Sequence, residues 1–191
     1  MLDSVNQKWP KLRKQIFGKL AININPNIVS FLALFAAFAA GYAFCQNWLW
    51  LAGILVFLNG FFDIMDGEIA KKWGKTSKFG DFLDHTVDRL ADVAILLGIT
   101  FNPNVPDWLG FVTIIAVLLV SYMGTQAQAL TKKRLYTAIA SRADRIIILG
   151  FAGIIAVFYA NILYYALLLL LILSAFTFLQ RAYLISVQLK K

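Results

Sequence analysis

Charge is scarce in this chain of 191 residues: Asp, Glu, Lys and Arg together make up 15%, against about 25% in soluble domains. Cysteine is scarcer still. The single Cys45 excludes a disulfide framework and any multi-cysteine metal site. No segment alternates polar and apolar residues for long enough to suggest a barrel. What fills the chain is apolar: hydrophobic residues reach 60% and mean hydropathy is +0.72. A soluble fold of this length lacks the interior to hide so much apolar surface. Soluble enzymes, disordered chains and collagen-like fibres are therefore excluded. A net charge of +8 would suit nucleic acid if taken alone, but the hydropathy points to lipid and away from a nucleic-acid partner. The expectation is an integral membrane protein with a single domain over residues 1–191.

Apolar runs recur at 28–44, 48–62, 91–101, 108–123, 146–160 and 162–179. Six transmembrane helices are the natural count, with the shorter runs extending into their polar flanks. Residues 23–191 then form a six-helix bundle. Ahead of it, Leu2, Val5, Trp9, Leu12, Ile16 and Leu20 recur every three or four residues among lysines and arginines. That pattern predicts an amphipathic interfacial helix over 1–22, bent at Pro10, serving as a topogenic anchor or as part of the substrate gate. No apolar core follows the first charges, so the start does not read as a signal peptide.

The basic residues fall on one side of these spans. All but Arg89 of the 18 Lys and Arg residues precede span one, separate spans two and three, separate four and five, or follow span six. The opposite links, around Gln46, Asn102 to Asp107 and Asn161, contain none. By the positive-inside rule both termini are cytoplasmic in a multi-pass cell-membrane protein. Trp48, Trp50, Trp108, Tyr159 and Tyr164 at span ends fit an interfacial belt, and Cys45 reads as filler near the outer boundary.

Acids are distributed even less evenly. Asp63, Asp66, Glu68, Asp81, Asp84, Asp88 and Asp92 are seven of only ten Asp and Glu residues. A carboxylate at membrane depth is expensive and needs a partner or a function. Asp63, Asp66, Gly67 and Ala70 share one face at the end of span two, and Gly80, Asp84 and Asp88 form a stripe at the start of span three. If the two stripes face each other, four carboxylates surround one small volume, near the cytoplasmic edge. Oxygen-only ligands on rigid helices suit two Mg²⁺ or Mn²⁺ ions better than Zn²⁺, and a pair of such ions is a template for phosphoryl transfer. Two other readings compete. The acids could pair with the nearby lysines as a topology-fixing cluster, or belong to a divalent-cation transporter. Against the transporter, the acids sit at one end of the spans and no polar pathway continues across them.

Arg142, Arg145 and Arg181 lie at the same end on other spans and could clamp a phosphate, or simply anchor the positive-inside topology. Lys132, Lys133 and Arg134 read as a solvated loop. His85 follows Asp84 and is turned about 100° from the stripe, which suits packing or support of a neighbouring ligand. Arg89 and Asp92, three apart, are expected to pair locally.

Written out, residues 63 to 88 read Asp63-x2-Asp66-Gly67-x2-Ala70-Lys71-x8-Gly80-x3-Asp84-x3-Asp88. This closely resembles the motif of the CDP-alcohol phosphotransferases, membrane enzymes that build phospholipid headgroups, with Lys71 in place of the family's Arg. The resemblance implies that Asp63, Asp66, Asp84 and Asp88 hold two metal ions and that Asp88 is also the catalytic base. It implies that Gly67, Ala70 and Gly80 admit the cytidine nucleotide, that Lys71 and Ser77 contact the diphosphate of a CDP-linked lipid, and that Asn25, Pro26, Asn27 and Ile28 border the nucleotide. A small polar alcohol would be the acceptor, membrane lipids the surroundings and a homodimer the assembly. Within the family the chain is similar to members that take phosphorylated polyols such as inositol phosphate, with Arg142, Arg145 and Arg181 on the acceptor. Gly124 and Gln126 stand where those members often carry basic residues, which keeps glycerol phosphate or an unphosphorylated alcohol open.

Overall fold

The computed structural model describes residues 17–131 and 141–189. Among them the fold is all helical, without a strand, and six helices follow in order. They are α1 (Pro26–Cys45), α2 (Leu49–Lys72), α3 (Lys78–Thr100), α4 (Asp107–Thr131), α5 (Arg142–Ile155) and α6 (Ile162–Leu189). Residues 17–20 add one helical turn ahead of α1. Most of the expected interfacial helix, residues 1–16, lies outside the described residues, as do Lys132, Lys133 and Arg134.

Local chemistry sets the helix ends that matter for the site. Asn25 caps α1, its side chain accepting from the Asn27 N–H at 3.0 Å, and Pro26 occupies the first turn where no N–H is needed. Gly74 ends α2 with φ of +63°, a left-handed turn that glycine adopts without a Cβ penalty. Ser77 caps α3 by accepting from the Gly80 N–H at 2.9 Å. Ser141 and Asp144 form a reciprocal capping box that starts α5.

Four of the helices, α1, α2, α4 and α6, are long and apolar enough to cross a membrane. The six-span expectation is met only that far. In α3 the stretch from Lys78 to Asp92 is charged, with Asp81, Asp84, Asp88 and Arg89 between them. The helix α5 has 14 residues, or about 21 Å, short of a hydrocarbon core of about 30 Å. Polar flanking residues extended its apolar run at one end to Arg142, but the helix stops at Ile155 instead of continuing to residue 160.

The outward surface is apolar. Phe35 on α1 is 75% exposed and Phe158 is 86% exposed, an arrangement favourable in lipid and costly in water. The chain is an all-helical membrane protein. Inside, small residues bring backbones together, as expected where lipid tails compete with apolar side chains. Helix α1 packs against both α2 and α3, α5 packs on α2, and α4 pairs with α6. Gly98 of α3 lies directly on the Gly41 backbone of α1, and Gly153 of α5 lies on Gly53 of α2. A Cβ on Gly98 has no room without parting α1 from α3. Gly98→Val is therefore expected to cost at least about 3 kcal/mol, the upper end of ordinary overpacking. Thermal melting in detergent should show a clear loss of stability; a melt like that of the parent protein would contradict this packing.

Candidate metal and nucleotide site

Three helix ends build one cavity of about 360 Å³. From α2 come Asp63, Asp66, Gly67, Ala70 and Lys71; from the cap and first turns of α3 come Ser77, Gly80, Asp84 and Asp88. The start of α1 supplies Pro26, Asn27 and Ser30. Helices α2 and α3 scarcely touch each other directly. Instead α1 packs on both, so the cavity opens where its N-terminus begins. The two aspartate stripes thus face one space, with α1 as the wall between them. Asn25 and Ile28 are not among the lining residues: Asn25 caps the helix and Ile28 is 56% exposed.

Asp66 is the most deeply set of the four carboxylates, with 5% of the residue exposed. The Ser30 hydroxyl donates to its Oδ2 at 2.6 Å, and no basic side chain among the described residues forms an ion pair with it. A buried carboxylate with a hydroxyl but no cation is costly, and a divalent ion bound by several such oxygens removes that cost. Donor atoms of Asp84, His85 and Asp88 also lie within 4.8 Å of one another. These residues fit a hard divalent cation.

His85 does not line the cavity; its ring nitrogens lie 3.8 Å from Asp81 Oδ1 and 3.9 Å from Asp84 Oδ2. At the base of the carboxylate cluster stands Arg142 of α5. Its Nη1 is 3.3 Å from Asp63 Oδ1 and also pairs with Asp88. Its Nη2 donates to Asn59 Oδ1 at 3.4 Å, while Asn59 donates to the Ala33 carbonyl at 2.8 Å.

The other two arginines are placed differently. Arg145 Nη2 donates to Asp92 Oδ2 at 2.6 Å. Arg181 Nη1 donates to the Val120 carbonyl at 2.6 Å, and Gly124 makes room for it: a Cβ there would lie 2.8 Å from that nitrogen. None of the three lines the cavity. The expected Arg89–Asp92 pair is replaced, because Arg145 takes the Asp92 carboxylate from across the bundle. Arg89 Nη1 instead lies 3.8 Å from Asp88 Oδ2 and donates to the His85 carbonyl at 2.9 Å.

Sequence reasoning missed several groups that the fold brings in. Ser30 stands four residues after Pro26, one turn further along the same face, which was the available signal. Asn59 carried none beyond being an amide in an apolar run. Lys75 and Thr76 line the cavity from the turn after α2, with Lys75 Nζ held by Asn23 Oδ1 at 2.7 Å and the Ile24 carbonyl at 2.9 Å.

The sequence model of the CDP-alcohol phosphatidyltransferase family matches residues 23–179. An archaetidylinositol phosphate synthase from Pyrococcus horikoshii is 37% identical over 96% of this chain and 95% of its own length. A phosphatidylinositol phosphate synthase from Cutibacterium acnes is 31% identical over 78% of this chain and 75% of its own. In fold, the chain is similar to the Mycobacterium tuberculosis phosphatidylinositol phosphate synthase solved with CDP-DAG bound, at a TM-score of 0.78 and 24% identity, covering 92% of this chain and 94% of that one. The same mycobacterial protein has been solved in complex with manganese and citrate. A match over residues 23–179, together with relatives aligned over most of their length, shows that this chain belongs to the CDP-alcohol phosphatidyltransferase family.

Proposed function

We propose that the chain transfers the lipid-phosphate group of a CDP-linked lipid to a phosphorylated polyol of the inositol phosphate type, releasing CMP. The observation that carries this reading is the convergence of Asp63 and Asp66 with Asp84 and Asp88 on one cavity, beside Gly67, Ala70 and Gly80. The names of the relatives support the acceptor class, and the neighbour solved with CDP-DAG supports the donor.

In this reading Asp63, Asp66, Asp84 and Asp88 hold two Mg²⁺ or Mn²⁺ ions. Bound there, such ions would supply positive charge to offset that of the donor's diphosphate. Small side chains at Gly67, Ala70 and Gly80 leave space for the nucleotide, bordered by Pro26 and Asn27 at the start of α1. Lys71 and Ser77 stand at the diphosphate, Lys71 as a point charge without the planar fork of Arg. Asp88 takes the proton of the acceptor hydroxyl. The freed oxygen bonds to the lipid-bearing phosphorus, and the bond from that phosphorus to the bridging oxygen breaks, so that CMP leaves with the electron pair. Arg142, next to Asp88, receives the acceptor's own phosphate, with Arg181 as its more distant partner.

The asymmetry of basic residues supports a cytoplasmic side for the cavity and both termini. In that topology α3 and α5 complete six spans.

CMP release from CDP-diacylglycerol and from CDP-archaeol tests this directly, with inositol phosphate, glycerol phosphate and serine offered side by side. Inositol phosphate is expected to support the fastest release. Faster release with serine would sink the acceptor reading, and no release with any acceptor would favour a cation-binding transporter. Arg142→Ala is expected to raise the acceptor KM about tenfold or more, the worth of a lost charge-assisted hydrogen bond. An unchanged KM would remove Arg142 from the acceptor site.

A further inference from the structure

Arg142 and Arg145 are three residues apart on α5, and Asp88 and Asp92 are four apart on α3. Those spacings keep each pair on one helix face. The two faces meet as two rungs, Arg142 on Asp88 and Arg145 on Asp92. The outer rung touches the carboxylates of the cavity. The inner rung is more deeply buried, its side chains 7% and 8% exposed. The backbone of α5 rests on α2, where Gly53 meets Gly150 and Gly153, and makes little contact with α3. The two arginine–aspartate pairs connect α5 to α3.

A buried ion pair is a poor source of stability, since apolar residues of similar volume often do as well or better. Its geometry is more informative. We propose that Asp92 and Arg145 are positioning residues, whose pair fixes the rotation of α5 and so holds Arg142 against Asp63 and Asp88. This rests on reading those carboxylates as the metal and base site, and it takes Arg145 out of the acceptor clamp. Because Arg142 occupies carboxylate oxygens that a cation would use, its placement sets how tightly the substrate-free protein binds metal.

Mn²⁺ titration of the purified, substrate-free protein, followed by electron paramagnetic resonance, tests the proposal without any turnover. Arg142→Met is expected to tighten Mn²⁺ binding about tenfold, and Arg145→Met to tighten it by a similar factor. The combined variant should bind no more tightly than Arg142→Met alone, because Arg145 acts through Arg142. Arg145→Met strands a buried Asp92 and can fail to fold, so Asp92→Leu with Arg145→Met removes both charges together. That variant should melt like the parent protein yet show the same tightening. Additive effects of the two arginine substitutions, or parental Mn²⁺ affinity in the charge-free variant, overturn the proposal while leaving the metal site intact. A parent protein that binds no Mn²⁺ overturns both.

Discussion

Asp88→Asn should reduce CMP release by about three orders of magnitude, within the range for losing a general base. The substitution keeps the shape of the side chain, so packing at the start of α3 is preserved. What changes is the charge and the capacity to take a proton. In the structure Asp88 lines the cavity opposite Asp63 and Asp66, with 17% of its side chain exposed. It is wet enough to meet a soluble acceptor and enclosed enough to hold it. Arg142 and Arg89 both stand beside it. Single-turnover release of CMP separates chemistry from product loss, and melting of the variant in detergent checks its fold. A variant that keeps more than about a tenth of the parental rate would deny Asp88 that role.

Removal of divalent metal should have an effect of similar size. Chelation with EDTA is expected to bring CMP release to background, and added Mg²⁺ or Mn²⁺ to restore it. The structural reason lies in Asp66, buried at 5% exposure with the Ser30 hydroxyl as its hydrogen-bond donor. Asp66→Ala should weaken Mn²⁺ binding by at least about 100-fold, the upper end of what loss of an outer-shell partner costs at metal sites. Ser30→Ala leaves the carboxylate in place and should cost less, about tenfold. Release that ignores EDTA, or an Asp66→Ala variant with parental Mn²⁺ affinity, would remove the metal from the reaction.

Much of the site is local in sequence, which is why it could be read there. The four aspartates, Gly67, Ala70 and Gly80 sit within 26 residues on two consecutive helices and one short turn. Helical periodicity alone decides which of them share a face, and a short turn through Gly74 joins the two helices. Ser77 was named only through the family resemblance, and the structure shows it also caps α3.

Contacts between distant segments were not legible. Whether Asp92 pairs with Arg89 on its own helix or with Arg145 across the bundle depends on how α5 lies, and no spacing encodes that. The same holds for Asn59 between α1 and α5, and for Gly124, whose missing side chain looked like a lost basic residue. In the structure it is the space that Arg181 fills.

Membrane residence, the one-sided basic loops and the clustering of carboxylates at one end follow from composition and periodicity, because lipid and helix geometry act on each segment separately. The seating of Arg142 on Asp63 and Asp88, the buried Arg145–Asp92 pair and the shortness of α5 were decided only by packing. Those features depend on how close Gly53 and Gly153, and Gly41 and Gly98, let their helices approach, and such distances arise between segments far apart in the chain.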